Sequence, residues 1–189
     1  MRDLPVGAML AVLRLTAEQV EAVCSDVEGA YPVNYNSPGQ TVVACGAELV
    51  SEITSRVAQV GGRCMPLKVG GSFHTPVMRP ATEGLAEMLE TMMVSEPALP
   101  IYANRTAGLY TAGEAKTLLS LQASSPVRWQ QTIETMWNDG VDTFVEFGPG
   151  TTLAGLVKRT VSGARIASVS DPESLEKCVE MLKQGGVGA

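Results

Sequence analysis

Hydrophobic and polar residues follow two different rhythms in the first third of the chain. Short runs of mainly apolar residues predict strands, and apolar residues three and four positions apart predict helices. Thr16 begins the first helix, because Gln19 follows it at the spacing of a capping box. The sequence Asn-Ser-Pro-Gly at positions 36–39 is a turn signal, so the strands on either side of it are predicted to form a hairpin. Strands are predicted over 7–14, 31–36, 40–45 and 63–69, and helices from Thr16 and over 47–60.

The order of these elements, β-α-β-β-α-β, is that of the split ferredoxin-like arrangement. It predicts a small subdomain over residues 6–70. After it the pattern changes to longer helices with short strands, and strand-helix alternation near the end predicts part of a parallel sheet. The fold class is therefore α/β with an α+β subdomain. Helices are predicted over 77–93, 113–121 and 126–138, after 150 and from Asp171, and strands over 100–103, 142–147 and 165–169.

The composition is that of an ordinary globular protein, with 45% hydrophobic and 18% charged residues. The net charge of -6 argues against binding to nucleic acid or an anionic membrane, because such a chain cannot neutralise many phosphates. No apolar run approaches the about 20 residues that span a bilayer. We therefore expect a cytoplasmic protein that acts without nucleic acid or membrane.

The cysteines show neither metal-ligand nor redox spacing. Four cysteines without a C-x-x-C pair, and a single histidine, cannot assemble a usual zinc ligand set locally, so no metal site is expected. Each cysteine has apolar neighbours, which predicts buried, reduced and unreactive thiols. The four are Cys24, Cys45, Cys64 and Cys178.

His74 is the only histidine, and it follows a glycine-rich turn after a predicted strand. Because imidazole exchanges protons near neutral pH, this position suits a general base, although a structural histidine is the alternative. Ser72 is the nearest serine, but residues two apart in an extended segment lie about 6.6 Å apart, too far for a hydrogen bond. The nucleophile motif G-x-S-x-G is absent. The chain thus contains a candidate base without a candidate nucleophile.

The sequence Glu-Phe-Gly-Pro-Gly at 146–150 follows a predicted strand and precedes a helix. Such a loop could present backbone N–H groups to an anion, because a helix N-terminus carries unpaired donors and partial positive charge. Glycine and proline also occur in α/β connections simply to turn the chain. Both interpretations remain open from the residues alone.

Four segments together resemble one family. They read V-N-Y-N-S-P-G-Q at 33–40, G-S-F-H-T-P-V-M at 71–78, Q-A-S-S-P-V-R-W at 122–129 and E-F-G-P-G at 146–150. In this order and spacing they resemble the malonyl-CoA:acyl carrier protein transacylases, and the segment 7–12 fits the start of that family's small subdomain. The resemblance covers nearly the whole chain, and four ordered motifs are far more specific than one.

The resemblance implies a ping-pong acyl transfer in fatty-acid or polyketide biosynthesis. A serine takes the malonyl group from malonyl-CoA, and the phosphopantetheine thiol of acyl carrier protein then takes it from the serine. The expected partners are acyl carrier protein and the coenzyme A thioester. No resident cofactor is expected, since phosphopantetheine arrives on the carrier protein.

The resemblance also implies roles for particular residues. His74 matches the family's base, and Gln122 the residue whose main-chain carbonyl accepts a hydrogen bond from the imidazole. Phe73 precedes the histidine, where a bulky ring would crowd an α-methyl branch and so select malonyl. Asn34 and Asn36 are expected to face the cleft between the subdomains, with turn capping as an equal alternative for Asn36.

The resemblance is to the C-terminal portion of the family, with about the first two-fifths missing. The serine elbow, the oxyanion loop and the arginine that pairs with the malonyl carboxylate precede the small subdomain in that family, and none is present here. Residues 71–185 are accordingly expected to be the C-terminal part of an α/β-hydrolase-like acyltransferase core. None of the chain's arginines considered for the carboxylate matches that position, namely Arg63, Arg79, Arg105 and Arg128.

Three functional hypotheses follow. The first is a fragment, or a separately encoded piece, of a malonyl transacylase, which supplies the base, is inactive alone, and in the second case pairs with a separate chain carrying the missing region. The second is a non-catalytic module that binds acyl carrier protein. The third is an acyltransferase with another nucleophile. A truncated sheet would also expose apolar faces and unpaired edges, which predicts aggregation or dependence on a partner.

Overall fold

The computed structural model describes residues 7–69 and 71–185. Its first part is a four-stranded antiparallel sheet in the order β2-β3-β1-β4, with two helices between the strands along the chain. The predicted β-α-β-β-α-β order and ferredoxin-like fold are therefore confirmed. The elements are β1 (Gly7–Leu13), α1 (Ala17–Ser25), β2 (Tyr31–Ser37), β3 (Gln40–Gly46), α2 (Val50–Gln59) and β4 (Arg63–Pro66).

Local signals explain where these elements begin and turn. The Thr16 hydroxyl accepts the Gln19 N–H at 3.3 Å, and the Gln19 side chain accepts the Thr16 N–H at 2.9 Å, which is the predicted capping box. The turn between β2 and β3 places Gly39 at φ +75°, a conformation that favours glycine. Ser37 pairs directly with Gln40, so the predicted hairpin is confirmed.

The two faces of this sheet bury different apolar clusters. On the face towards α1 and α2, Leu10 and Val12 of β1 join Val43 and Cys45 of β3 in the larger core. The alternate residues of the same strands form a second cluster on the opposite face, and the Phe73 ring packs against it. This second cluster, called here the Phe73 face, consists of Met9, Ala11, Val33, Val42 and Ala44. It connects the sheet to the histidine loop.

Several predicted elements differ from the structure in their bounds. The helix expected over 77–93 is a 3-10 turn over Pro76–Met78 followed by an α-helix over Arg79–Glu90. β4 ends at Pro66 rather than at residue 69. The strand expected over 100–103 is reduced to an isolated bridge between Tyr102 and Leu109, because the chain reverses through a tight turn that leaves one pair. The helix expected from 126 begins at Trp129, because Val127 is extended and pairs with β2 instead.

Further helices and strands follow the four-stranded sheet along the chain. The chain divides by its contacts into two compact units, with the division between Thr132 and Ile133. In the second unit β5 and β6 pair in parallel, as predicted. The predicted subdomains 6–70 and 71–185 remain a prediction. The elements are α3 (Arg79–Glu90), α4 (Ala112–Leu121), α5 (Trp129–Asn138), β5 (Thr143–Phe147), α6 (Thr152–Thr160), β6 (Arg165–Val169) and α7 (Pro172–Gly185).

Among the helices within residues 7–69 and 71–185, none has the length and apolar character needed to cross a membrane. The expected cytoplasmic location remains a prediction.

Candidate active site

The imidazole of His74 is oriented by the main chain of Gln122. Nδ1 lies 3.0 Å from the Gln122 carbonyl oxygen. A carbonyl oxygen only accepts hydrogen bonds, so Nδ1 must carry the proton in this contact. In the neutral ring the lone pair then lies on Nε2. This arrangement leaves Nε2 able to take a proton from a nucleophile, which is the property that a general base needs.

The backbone at His74 is unusual. Its φ is +63°, in the left-handed region that non-glycine residues rarely adopt and that costs about 1–3 kcal/mol. Two hydrogen bonds hold the loop in this conformation: the His74 N–H donates to the Ala123 carbonyl at 3.2 Å, and the Thr75 hydroxyl donates to the Ser72 carbonyl at 2.7 Å. Thr75 is fully buried. The surrounding structure therefore fixes the direction in which the imidazole leaves the chain.

Ser72 has a structural contact in this loop. Its hydroxyl donates to the Cys45 carbonyl at 3.0 Å, at the end of β3. The loop also passes very close to the start of β1, because a Cβ added to Gly7 would lie 1.9 Å from the Ser72 Oγ and 2.8 Å from its backbone nitrogen. Only glycine allows this approach. The contact agrees with the view of Ser72 as a loop residue rather than a nucleophile.

The segment that contains Gln122 is attached to the edge of the sheet. A 3-10 turn over Gln122–Ser124 follows α4. Further on, Val127 exchanges hydrogen bonds with β2: the Tyr35 N–H donates to the Val127 carbonyl at 2.9 Å, and the Val127 N–H donates to the Val33 carbonyl at 2.8 Å. Sequence reasoning missed this pairing. The available signal was Pro126, because the residue before a proline favours an extended backbone.

Phe73 and Asn34 come together on one side of the sheet. The Phe73 ring is half-buried and packs on the Phe73 face. Asn34 opposes Val42 in the register of β2 and β3, and directly opposed residues share a face, so Asn34 lies on that side too. Asn36 falls at the irregularity in register between Tyr35 and Ser37 and is half-buried. The substrate-binding roles of Phe73, Asn34 and Asn36 stay predictions, as do the catalytic roles of His74 and Gln122.

The cysteines are poor nucleophiles in this structure. All four are free thiols, and Cys24, Cys45 and Cys178 are buried while Cys64 is half-buried. Burial raises the pKa of Cys24 to about 12 and raises the pKa of Cys45 and Cys64 above the usual value. Because the thiolate is the reactive form, these thiols are protonated and unreactive at neutral pH. This argues against an acyltransferase that uses a cysteine of this chain.

The described residues contain no cluster of three or more histidine, cysteine, aspartate or glutamate side chains that could hold a metal ion.

In the second unit, the carboxylate of Glu146 in β5 holds the loop that follows this strand. Glu146 accepts the backbone N–H of Leu153 at 3.1 Å and of Ala154 at 2.8 Å, in the first turn of α6. Gly148 and Gly150 both have positive φ, at +132° and +97°, so the turn requires glycine. The carboxylate already satisfies donors that an anion would use. The structure therefore favours the turn interpretation of residues 146–150 over an anion site.

A family model described as acyl transferase domain matches residues 1–185, and the chain belongs to this family.

Its relatives within the family include malonyl transacylases. The "Malonyl CoA-acyl carrier protein transacylase" of Bacillus subtilis is 38% identical over 185 residues, covering 94% of this chain and 58% of that protein. The protein of the same name in Escherichia coli K12 is 33% identical over 180 residues, covering 93% and 58%. The chain thus spans about 58% of the length of the curated relatives it matches.

Solved structures agree in fold. The malonyl CoA-acyl carrier protein transacylase of Clostridium perfringens superposes with a TM-score of 0.92 at 34% identity, covering 96% of this chain and 59% of that one. A type II PKS acyl-carrier protein in complex with its malonyl-transacylase gives a TM-score of 0.88 at 34% identity, covering 93% and 58%. The ferredoxin-like subdomain is therefore followed by the C-terminal part of the acyltransferase core.

Proposed function

We propose that this chain supplies the general base of an acyl transferase that moves malonyl from malonyl-CoA to the phosphopantetheine thiol of acyl carrier protein, in fatty-acid or polyketide biosynthesis. The observation that carries the proposal is the hydrogen bond from His74 Nδ1 to the Gln122 carbonyl, which leaves Nε2 to act as the base. The resemblance to malonyl transacylases names the substrates. No resident cofactor is required.

In the first half-reaction His74 Nε2 takes the proton of a serine hydroxyl, and the serine oxygen attacks the malonyl thioester carbon. The thiolate of coenzyme A leaves and receives that proton from the imidazolium. In the second half-reaction Nε2 takes the proton of the carrier thiol, whose sulfur attacks the malonyl ester. The serine oxygen leaves and regains its proton. The Gln122 carbonyl stabilises the imidazolium in both halves, because it accepts from Nδ1–H throughout.

The nucleophilic serine is proposed to come from outside these 189 residues. The sequence contains no G-x-S-x-G segment, and burial raises the pKa of Cys24, Cys45 and Cys64, which keeps those three thiols protonated. The remaining part of the acyl transferase domain, on the same polypeptide or on a separate chain, would supply the serine, the oxyanion donors and the arginine for the malonyl carboxylate. The isolated chain is accordingly inactive.

The proposed substrate-binding side chains are those of Phe73, Asn34 and Asn36, beside the buried Phe73 face. Phe73 restricts the space beside the α-carbon of the acyl group, and one excluded methyl group corresponds to about 1–3 kcal/mol of discrimination. Asn34 lies on the same face of the sheet, and Asn36 lies near its end. Their amides would hydrogen-bond the acyl or pantetheine chain.

The test uses radiolabelled malonyl-CoA. The purified chain alone is expected to remain unlabelled, and a stable malonyl-enzyme on it would overturn the proposal. Mixed with a polypeptide that carries the unmatched portion of the Bacillus subtilis relative, it should transfer label to acyl carrier protein. His74→Ala should then lower transfer about 100-fold or more, as expected for a general base.

The matched control is Glu83→Gln, which changes an exposed side chain of α3 and should leave transfer unaltered. Equal transfer by His74→Ala and Glu83→Gln would remove His74 from the mechanism.

A second candidate function is a non-catalytic module that binds acyl carrier protein. It is favoured by the solved complex between a carrier protein and its malonyl-transacylase, whose transacylase resembles this chain at 34% identity. Titration of the isolated chain with acyl carrier protein distinguishes the two. Binding without any transfer in the mixed assay would support the module, and no binding up to high micromolar concentration would argue against it.

A further inference from the structure

The 3-10 turn that carries Gln122 is held from a second side by a pair of hydroxyl groups. The Thr82 hydroxyl of α3 donates to the Ser124 hydroxyl at 2.9 Å, and the Ser124 hydroxyl donates to the Leu121 carbonyl at 3.4 Å. Thr82 is buried and Ser124 is half-buried. The pair therefore connects α3, which follows the histidine loop, to the turn that faces the imidazole.

The bond made by Thr82 differs from those made by Ser120 and Thr160. Ser120 and Thr160 donate to carbonyls three or four residues earlier in their own helices. Thr82 has the same kind of helical position but reaches across 42 residues to Ser124. A hydrogen bond from a buried helical hydroxyl to a side chain of another segment fixes the distance between the helix and that segment.

Three contacts then meet in this one turn. Gln122 accepts from the His74 ring, Ala123 accepts from the His74 N–H, and Ser124 accepts from Thr82. Because these three residues form a single turn, movement at Ser124 displaces the Gln122 carbonyl as well. Thr82 follows His74 by eight residues and Ser124 follows Gln122 by two, so the hydroxyl pair joins the segment that carries the imidazole to the segment that carries its acceptor.

We propose that Thr82 and Ser124 are positioning residues, which hold the Gln122 carbonyl at hydrogen-bond distance from His74 and so keep the imidazole proton on Nδ1. The inference rests on the proposed role of His74 as the base. Neither residue touches substrate in this scheme, since both act through the turn.

The test reads the imidazole directly and requires no acyl transfer. His74 is the only histidine of the chain, so its ring nitrogens give an unambiguous ¹⁵N spectrum in uniformly labelled protein. At a pH where the ring is neutral, the native chain should show the Nδ1–H tautomer. Thr82→Val removes the hydroxyl at nearly constant volume and should lower the ratio of Nδ1–H to Nε2–H about fivefold, the effect of one net hydrogen bond.

A second measurement keeps the proposal testable if Thr82→Val folds poorly. Ser124→Ala removes the partner at a half-buried position and should produce the same tautomer shift together with faster amide exchange at His74. The double variant should add little to either single one, because both remove one interaction. Thr82→Ser retains the hydroxyl and should restore the native ratio.

The matched control is Ser120→Ala, which deletes a buried hydroxyl of α4 bonded within its own helix. It should leave the tautomer ratio unchanged. Native ratios in both Thr82→Val and Ser124→Ala, or an equal shift in Ser120→Ala, would overturn the positioning role. Failure of the malonyl assay with a normal tautomer response would refute the proposed function instead, so the two failures can be told apart.

Discussion

Replacing Gly7 with alanine should distort the loop that carries His74, because Ser72 of that loop lies directly against Gly7. The new Cβ would lie 1.9 Å from the Ser72 hydroxyl oxygen and 2.8 Å from the Ser72 nitrogen. The hydroxyl can rotate away, but the backbone nitrogen cannot move without shifting the loop that carries His74. The Ser72 hydrogen bond to the Cys45 carbonyl would be lost in that shift.

The magnitude follows from two contributions. Inserting a methyl group into a well-packed region usually destabilises by about 1–3 kcal/mol. Loss of a hydrogen bond adds about 0.5–1.5 kcal/mol. Together they predict that Gly7→Ala lowers the free energy of unfolding by about 2–4 kcal/mol. The double variant Gly7→Ala/Ser72→Ala should recover only part of this, because the backbone contact at 2.8 Å remains.

Urea denaturation monitored by circular dichroism measures the effect, and the ¹⁵N spectrum of His74 reports the loop. The control is Gly84→Ala in α3, where nothing lies within 4 Å of the added Cβ. That substitution should stabilise by about 0.5–1 kcal/mol, since alanine is the better helix former. If Gly7→Ala were as stable as the native chain and left the His74 spectrum unchanged, the close approach would play no part in holding the loop.

Three further predictions concern the second unit and the whole chain. Glu146→Ala should destabilise by about 1–2 kcal/mol in a urea titration, because the carboxylate satisfies two N–H groups at the start of α6, whereas Glu146→Asp should retain part of that stability. The hydrogen bond from the Ser174 N–H lowers the pKa of the Asp171 carboxyl group. The stability that this bond contributes should be fully present above the unfolded-state pKa of about 3.9 and be lost as the pH falls through the lower folded-state pKa. In acid titrations Asp171→Ala should lose this dependence, and an acid midpoint unchanged by the substitution would contradict the prediction. On heating, the isolated chain should aggregate or unfold over a broad temperature range, because Phe147 is 74% exposed and a parallel sheet is normally covered on both faces. A sharp calorimetric transition of a monomer would count against this.

The ferredoxin-like part of the fold was predictable because its signals are local. The capping box at Thr16 and the turn at Gly39 depend on residues within four positions of one another, and both are present as predicted. Strands β1 and β3 contribute alternate residues to the two apolar clusters, which follows directly from the two-residue period of a strand.

The segments that differed are those in which tertiary contacts outweigh local preference. Residues 126–128 precede a helical pattern, yet Val127 is extended because its N–H and carbonyl find partners in β2. Pairing of this kind depends on residues more than 90 positions away, so periodicity could not have shown it. The bridge between Tyr102 and Leu109 likewise forms only after the chain has turned back.

The candidate site has the same division between local and distant information. His74 and its glycine-rich loop could be identified as a candidate base from the residues alone, but its partner Gln122 lies 48 positions away and contributes only a backbone carbonyl. A backbone carbonyl leaves no mark on side-chain patterns. Gln122 was therefore predicted from the resemblance to transacylases, and the structure shows the 3.0 Å distance between its carbonyl oxygen and His74 Nδ1.

One short segment contacts both the edge of the four-stranded sheet and the imidazole of His74. An unpaired edge strand is a hazard for aggregation, and β2 is an edge of the four-stranded sheet. Val127 covers part of that edge with two backbone hydrogen bonds, and the same segment begins with the turn that holds the Gln122 carbonyl against His74. The backbone of residues 122–127 therefore satisfies donors and acceptors of both the sheet edge and the imidazole.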